Sequence, residues 1–307
     1  MSYLDSLKSI VRGKMLINEP MSKHTSYRIG GPASAYIIPN DREDLAQILR
    51  FSHDHNIPAY FIGSGSNLLV SDNGIDGIVI SPARSLKSLK IEGTTIYAES
   101  GVMLGRLVKE CIRNNLTGLE SLVGVPGTLG GALIMNAGAF GGEISNYLDS
   151  VDIMKMNGEI KVYKTSDIRF SYRFSSFKKD EFIIMAKFTL TNEDPGVIKK
   201  KKEIASNGRK TNQPLKYRSA GSVFKNPEKF PAGYLIDQVG LKGTKIGGAE
   251  ISTHHANFFI NNGNASSADI TQLIKLARKS VFEKFDIELE LEIKTIGIEP
   301  ESLEAHD

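Results

Sequence analysis

Glycine placement constrains this chain more than any other feature. The 29 glycines gather at 30–31, 63–65, 74–77, 124–131, 138–142 and 240–248 instead of spreading evenly. Glycine weakens helix and strand interiors, so each cluster marks a place where the backbone turns sharply or approaches a ligand closely. Several such places in one chain suggest a long ligand held by backbone. The stretch Gly63 to Gly74, GSGSNLLVSDNG, follows the apolar run PAYFI and invites comparison with a dinucleotide-binding Rossmann turn. That turn needs a third glycine three residues after the second, then a helix, and an acid about 20 residues on. Leu68 stands in place of the glycine, Leu68-Leu69-Val70 continues as strand, and the region around residue 83 offers Pro82, Ala83 and Arg84. The loop must serve another fold.

At 307 residues, with 40% hydrophobic and 24% charged residues, the chain has the composition of an ordinary globular protein with room for two or three domains. A net charge of +3 is too slight to argue for nucleic acid. The first residues carry Asp5 and no apolar run of secretory length, and no stretch reaches 18 consecutive apolar residues. No membrane association is expected, and the cytoplasm is the expected compartment. A single cysteine, Cys111, excludes an internal disulfide and a cysteine-rich zinc site. It falls on the apolar stripe of a helix over Met103–Asn115 (Leu104, Leu107, Val108, Cys111, Ile112), a packing position.

Periodicity places the other elements. A helix is predicted over Asn40–Asn56, with Asn40 and Glu43 as its capping box, followed by strands at 58–62 and 75–80. Further strands are predicted at Thr94–Glu99, 151–156, 159–163 and 182–190, with Met156–Glu159 as a hairpin turn. Asp194-Pro195 opens a helix with Val197, Ile198, Ile204 and Ala205 inward. The four lysines Lys199–Lys202 then form a solvated face; without interleaved aromatics they do not read as a nucleic-acid site. A helix over Ser267–Phe285 carries Ile270, Leu273, Ile274, Ala277 and Val281 on one side. The strict alternation of Ile287–Gly297 predicts a strand with one buried face.

Three constellations carry chemistry. The loops Gly63–Asn67 and Gly124–Gly131 offer runs of backbone N–H groups suited to a diphosphate, joined by Asn136 and its NAGA turn. Phe170–Lys178, FSYRFSSFK, places Tyr172 and Arg173 outside any helical period, and an arginine there can take a carboxylate bidentately. Lys216–Pro227, KYRSAGSVFKNP, sets Ser219 and Ser222 around Gly221 among basic residues. It is not a hydrolase elbow, because Ala220 and Phe224 stand where glycines are required. His254 and His255 run straight into a strand, and no metal-ligand spacing occurs.

In this order, GSGSN, GVPGTLGGALIMNAGAFG, SYRFSSF, GSVFKNP and the terminal ELEIKTIG closely resemble the UDP-N-acetylenolpyruvoylglucosamine reductase (UDP-N-acetylmuramate dehydrogenase) family. The match runs from HTSYRIGGPA to about residue 297 and resembles the shorter subgroup that lacks an extra substrate loop. The resemblance implies an α+β chain with a vanillyl-alcohol-oxidase-type FAD-binding fold and a C-terminal α+β substrate-binding domain. Residues 1–86 and 87–194 would be two FAD-binding subdomains, 195–207 a linker helix and 208–307 the substrate domain. FAD would be non-covalent, since neither glycine loop carries a histidine, and NADPH would be the hydride donor. Implied cofactor contacts are Gly63, Ser64, Gly65, Ser66, Asn67, Gly124, Pro126, Gly127, Thr128, Gly130, Gly131, Asn136, Ala137 and Gly138.

The implied chemistry is hydride transfer from flavin N5 to the terminal carbon of an enolpyruvyl ether, with protonation of the neighbouring carbon, in peptidoglycan precursor synthesis. The motifs carry over Arg173, Ser222 as proton donor, and Glu292. Glu290 and Glu292 share a face, and Glu292 is taken for its distance from the terminal IG. Tyr172, Lys216, Asn226, His255 and Asn257 are the candidate substrate contacts. The partners are then small molecules. The rival readings are another FAD-dependent oxidase or dehydrogenase on the same fold, and a nucleic-acid-binding module using Lys199–Lys202.

Overall fold

The computed structural model describes residues 3–304; 1–2 and 305–307, the outer ends of the expected first and last domains, lie outside the described residues. The chain divides into two compact units. The first comprises the chain up to Ile17, Ser34–Ser64 and Gly77–Arg209. The second comprises Asn18–Ala33, Gly65–Asp76 and the chain from Lys210 onward.

Two sheets organise the first unit. A four-stranded sheet has the order Lys14–Pro20, Pro32–Ile38, Ile75–Ile80, Ala59–Phe61, the last two strands being parallel with Ala59 opposite Ile78. The helices Tyr3–Ile10 and Arg42–Asp54 supply Leu7, Leu45, Ile48 and Leu49 to its apolar core beside Ile37, Ile78 and Ile80. The predicted helix over Asn40–Asn56 is present, but its cap is one residue later. Asp41 accepts a hydrogen bond from the Asp44 amide at 2.9 Å. The buried Asp44 carboxylate in turn accepts from the amides of Asn40 (2.7 Å), Arg12 and Gly13 (2.9 Å each). Glu43 instead reaches Arg12. An aspartate accepts N-terminal amides as well as an asparagine does, so Asp41 caps the helix while Asp44 orders the distant Arg12–Gly13 turn.

A five-stranded antiparallel sheet follows, in the order Ile160–Lys164, Leu148–Lys155, Glu181–Thr189, Thr95–Glu99, Leu89–Glu92. The helix Leu104–Arg113 packs Leu104, Leu107, Val108 and Cys111 into its core, as its stripe predicts. Burial raises the Cys111 thiol pKa to about 12, which makes it an inert packing group. In the helix Pro195–Asn212 only Ile198 and Ala205 of the predicted inner face are buried. Val197 and Ile204 are exposed at 40% and 60%. Residues 198 and 205, seven apart, stand on one stripe, and their neighbours at 197 and 204 are turned about 100° away. Lys201 reaches the Thr117 hydroxyl at 2.9 Å.

In the second unit, a small antiparallel sheet of Lys245–Ile246, Ala249–Ile251 and Phe259–Asn261 packs with the helices Ala232–Gln238 and Ser267–Phe285. The long helix buries Ile270, Leu273, Ile274, Ala277 and Val281 and is capped by a reciprocal Ser266–Asp269 box. Its core continues through Tyr27, Phe224 and Phe259. The terminal alternation does not form one regular strand. Only Lys294–Ile296 does, parallel to Leu68–Val70. Leu291 instead bridges Phe224, and Lys225 N–H donates to Glu290 O at 2.8 Å. The change of partner within ten residues interrupts the ladder, while Leu289 and Ile293 keep their inward facing at 2% exposure each. Among the described residues no helix is long and apolar enough to cross a membrane, and no cluster of His, Cys, Asp and Glu could hold a metal.

Candidate active site

In the first unit the start of one glycine loop, Gly63, lies against Thr128 of the other. A side chain on Gly63 would collide with the Thr128 hydroxyl, and Thr128 itself is buried. Gly124 and Gly127 have φ of +76° and +130°, conformations that glycine alone adopts without strain. The loop is anchored from below. Leu104 N–H donates to Gly127 O at 3.0 Å, Leu129 N–H to Val102 O at 2.8 Å, and Gly130 N–H to Ser100 O at 2.9 Å. Pro126 and Gly131 remain exposed on its outer side.

Asn136 is fully buried in the left-handed region, φ +42°. Its Nδ2 donates to Glu143 at 2.7 Å and to the Ser171 carbonyl at 3.1 Å, while its Oδ1 has no partner. The following Ala137 turn closes onto Ala132, and Gly138 pairs with Glu143. A Cβ on Gly138 would lie 3.5 Å from Arg173 Nη1, so the arginine head packs on the floor that this glycine provides. Arg173 occupies the tip of a two-residue hairpin between Phe170–Ser171 and Phe174–Ser175. Its φ is +56°, a strained position for a residue with a Cβ, where turns of this kind favour glycine or asparagine. Its guanidinium lies 5.0 Å from the Tyr172 ring centre.

In the second unit, Gly65 carries the loop past the His24 carbonyl, which any side chain there would strike. Its φ is +64°, and Ser26 N–H donates to its carbonyl at 3.0 Å. Ser66 and Asn67 are half-buried, and the Asn67 amide Nδ2 donates to the Glu292 carbonyl at 3.1 Å.

Ser222 follows Gly221 (φ +80°) and bridges Phe258. Next to it, Val223 O accepts from Glu292 N–H at 2.8 Å, which sets the serine and glutamate motifs side by side on adjacent segments. Of the two candidate acids, Glu290 is exposed and ion-paired with Lys225, whereas Glu292 is half-buried. Asn257 is buried, and its amide engages the Phe224 backbone in both directions. Lys216 and Asn226 are exposed, Asn226 Oδ1 accepting from Ala232 N–H at 3.1 Å. His255 is half-buried, with Nδ1 accepting from Asn257 N–H at 3.2 Å. Burial, with His254 and Lys242 nearby, holds its pKa below the ordinary imidazole value and keeps the ring neutral.

Three residues escape sequence reasoning. Ser100 and Ser121 hold buried hydroxyls without partners, Ser100 beneath Gly130 and Ser121 against Gly142. Arg209 packs its stem 3.1 Å from where a Gly124 side chain would begin. Isolated serines and a helix-terminal arginine carry no sequence signal of a site.

Residues 33–163 match the FAD binding domain family, and 213–296 match the family described as UDP-N-acetylenolpyruvoylglucosamine reductase, C-terminal domain. A UDP-N-acetylenolpyruvoylglucosamine reductase of Caldanaerobacter subterraneus subsp. tengcongensis is 43% identical over 96% of this chain and 98% of its own length. One of Exiguobacterium sibiricum is 42% identical over 95% of this chain and 96% of its own. The crystal structure of the corresponding reductase from Thermus caldophilus superposes with a TM-score of 0.78 at 33% identity, over 93% of this chain and 99% of that one.

Fold and site together define an FAD-dependent oxidoreductase with an α+β flavin-binding fold, as the sequence resemblance implies. The buried, unpartnered Ser100, Ser121 and Asn136 oxygens around glycine loops suit a large polar cofactor that completes their hydrogen bonds. The chain belongs to the UDP-N-acetylenolpyruvoylglucosamine reductase family.

Proposed function

We propose that this enzyme uses NADPH to reduce the enolpyruvyl ether of UDP-N-acetylglucosamine to UDP-N-acetylmuramate, for peptidoglycan precursor synthesis in the cytoplasm. Near-full-length similarity to reductases of that name supports the substrate. The observation that carries the chemistry is the backbone pairing that brings the Ser222 and Glu292 motifs together, Glu292 N–H on Val223 O at 2.8 Å. In this reading 1–86 and 87–194 carry the flavin and 208–307 the sugar nucleotide.

FAD, when bound, supplies the two-electron chemistry, taking hydride from NADPH and passing it to the terminal carbon of the substrate's double bond. The glycine loops hold its diphosphate non-covalently through backbone N–H groups, with Ser64, Ser66, Thr128 and the Asn136 turn lining them. Hydride addition leaves electron density on the neighbouring carbon and its carboxylate. Arg173 stabilises that charge with its planar fork, a term that preorganised cations supply efficiently. Ser222 gives its proton to the neighbouring carbon. Glu292 polarises the carboxyl end of the substrate. Arg218, in the same segment, supplies positive charge that favours the serine's loss of a proton, while Lys225 is paired with Glu290. Tyr172, Lys216, Asn226 and His255 contact the sugar nucleotide, and Asn257 holds the serine segment in place.

Anaerobic incubation with NADPH and the enolpyruvyl sugar should give one NADPH consumed per product, with the sugar gaining two hydrogens by mass spectrometry. NADPH consumption that needs oxygen and leaves the sugar unchanged would support an oxidase on the same fold instead.

A further inference from the structure

Asn67 closes a loop whose place in the proposed site is to hold the flavin diphosphate, yet its side chain is aimed along the protein. Its Nδ2 donates to the backbone carbonyl of Glu292 at 3.1 Å, and its own carbonyl accepts from Lys294 N–H at 2.9 Å. The next residues, Leu68–Val70, lie parallel to Lys294–Ile296 in the register Leu68 to Lys294 and Val70 to Ile296. On its other side the Glu292 N–H is held by Val223 O, the residue after Ser222. The Glu292 backbone is therefore gripped at both ends, by the serine segment at its N–H and by the glycine loop at its C=O. Residues 290 to 293 lie where the chain changes partner from Phe224 to Leu68, and the Asn67 amide meets the Glu292 carbonyl at that change.

We propose that Asn67 is a positioning residue for the reduction of the substrate: it fixes the Glu292 backbone, and so the direction of the carboxylate that polarises the substrate, relative to Ser222. The inference rests on the functional reading above. It gives the last residue of GSGSN a task that a phosphate contact does not require. A backbone N–H from any residue serves a phosphate, whereas the Glu292 carbonyl needs a side-chain donor of asparagine's length. Small misplacements of an acting group slow chemistry by one to two orders of magnitude.

The test separates the two half-reactions in holoenzyme carrying Asn67→Ala or the isosteric Asn67→Asp. Flavin affinity is read from fluorescence as FAD is added to stripped protein. For Asn67→Ala, we expect reoxidation by the enolpyruvyl sugar at saturating FAD to slow roughly 10- to 100-fold, well beyond any change in flavin affinity or in NADPH-driven flavin reduction. Asn67→Asp should be as slow at neutral pH, where a carboxylate faces the carbonyl, and should recover relative to wild type as pH falls and the acid regains a donor hydrogen. Weakened flavin binding with normal reoxidation at saturating FAD would overturn the proposal, as would an Asn67→Asp that tracks Asn67→Ala at every pH. Should the wild type fail to reduce this sugar, the functional reading falls separately. Hydrogen exchange at 292–294 still decides the positioning claim: faster in Asn67→Ala supports it, and unchanged exchange refutes it.

Discussion

Asn257 and Phe224 exchange two hydrogen bonds although 33 residues separate them: Phe224 N–H donates to Asn257 Oδ1 at 2.9 Å, and Asn257 Nδ2 donates to Phe224 O at 2.8 Å. The side chain acts as one more rung of sheet, placed two residues from Ser222. Val223 N–H adds a third tie, to Asn257 O at 2.8 Å. Asn257→Ala should leave both Phe224 backbone groups buried and unpaired and destabilise the protein by roughly 2–4 kcal/mol. Denaturant unfolding of the holoenzyme measures this; a loss below about 0.5 kcal/mol would show that water replaces the amide.

Arg173 should matter to turnover far more than to folding. Its left-handed backbone, φ +56°, disfavours an arginine at this tip relative to glycine. Arg173→Lys keeps the charge and loses the fork, and should cut turnover heavily with stability within about 1 kcal/mol of wild type. Arg173→Gly, relieved of backbone strain, should be no less stable and equally inactive. Retained turnover with a large stability loss would make the arginine structural.

How far the sequence reveals such a site depends on the distance over which its parts act. The helix Ser267–Phe285 is legible because its apolar spacing is written within 19 residues. Glycine loops are legible because a positive φ leaves a compositional trace, as at Gly65 and Gly124. Arg173 stands out in the sequence as an arginine outside any helical period, but its catalytic role comes through family resemblance, and its left-handed turn carries no glycine or asparagine to mark it. Asn67 and Glu292 stand 225 residues apart, and no periodicity predicts that one would bond the other's carbonyl. The same limit explains the terminal strand. Alternation reports which side faces the core, as Leu289 and Ile293 confirm, but not which neighbour completes the ladder. Ser100 and Ser121 look ordinary in sequence because only burial without a partner distinguishes them.

Flavin should be released intact on unfolding. Neither glycine loop contains a histidine or cysteine, and the nearby His24 imidazole is engaged by Glu19 at 3.0 Å. Acid precipitation should leave all flavin absorbance in the supernatant. A yellow pellet would contradict non-covalent binding.

His255 gives stability a pH dependence with a definite sign. Its folded pKa is depressed by burial, so the folded state binds fewer protons than the unfolded chain near neutrality. The contribution is complete above the unfolded value of about 6.5 and is lost as pH falls through the lower folded pKa. His255→Gln should flatten that part of the profile of unfolding free energy against pH. An unchanged slope below pH 6.5 would show that other groups produce it.

The central claim is that Ser222, set beside Glu292, is the proton donor of the second half-reaction. Stopped-flow absorbance on Ser222→Ala tests it most directly. Flavin bleaching by NADPH should proceed at close to the wild-type rate. Reoxidation of the bleached enzyme by the enolpyruvyl sugar should slow by roughly 100- to 10,000-fold, the usual cost of removing a general acid. Ser219→Ala, three residues away in the same segment, should be milder. Equal slowing of both half-reactions in Ser222→Ala would mean that the serine orders the site without delivering the proton, and would contradict the mechanism.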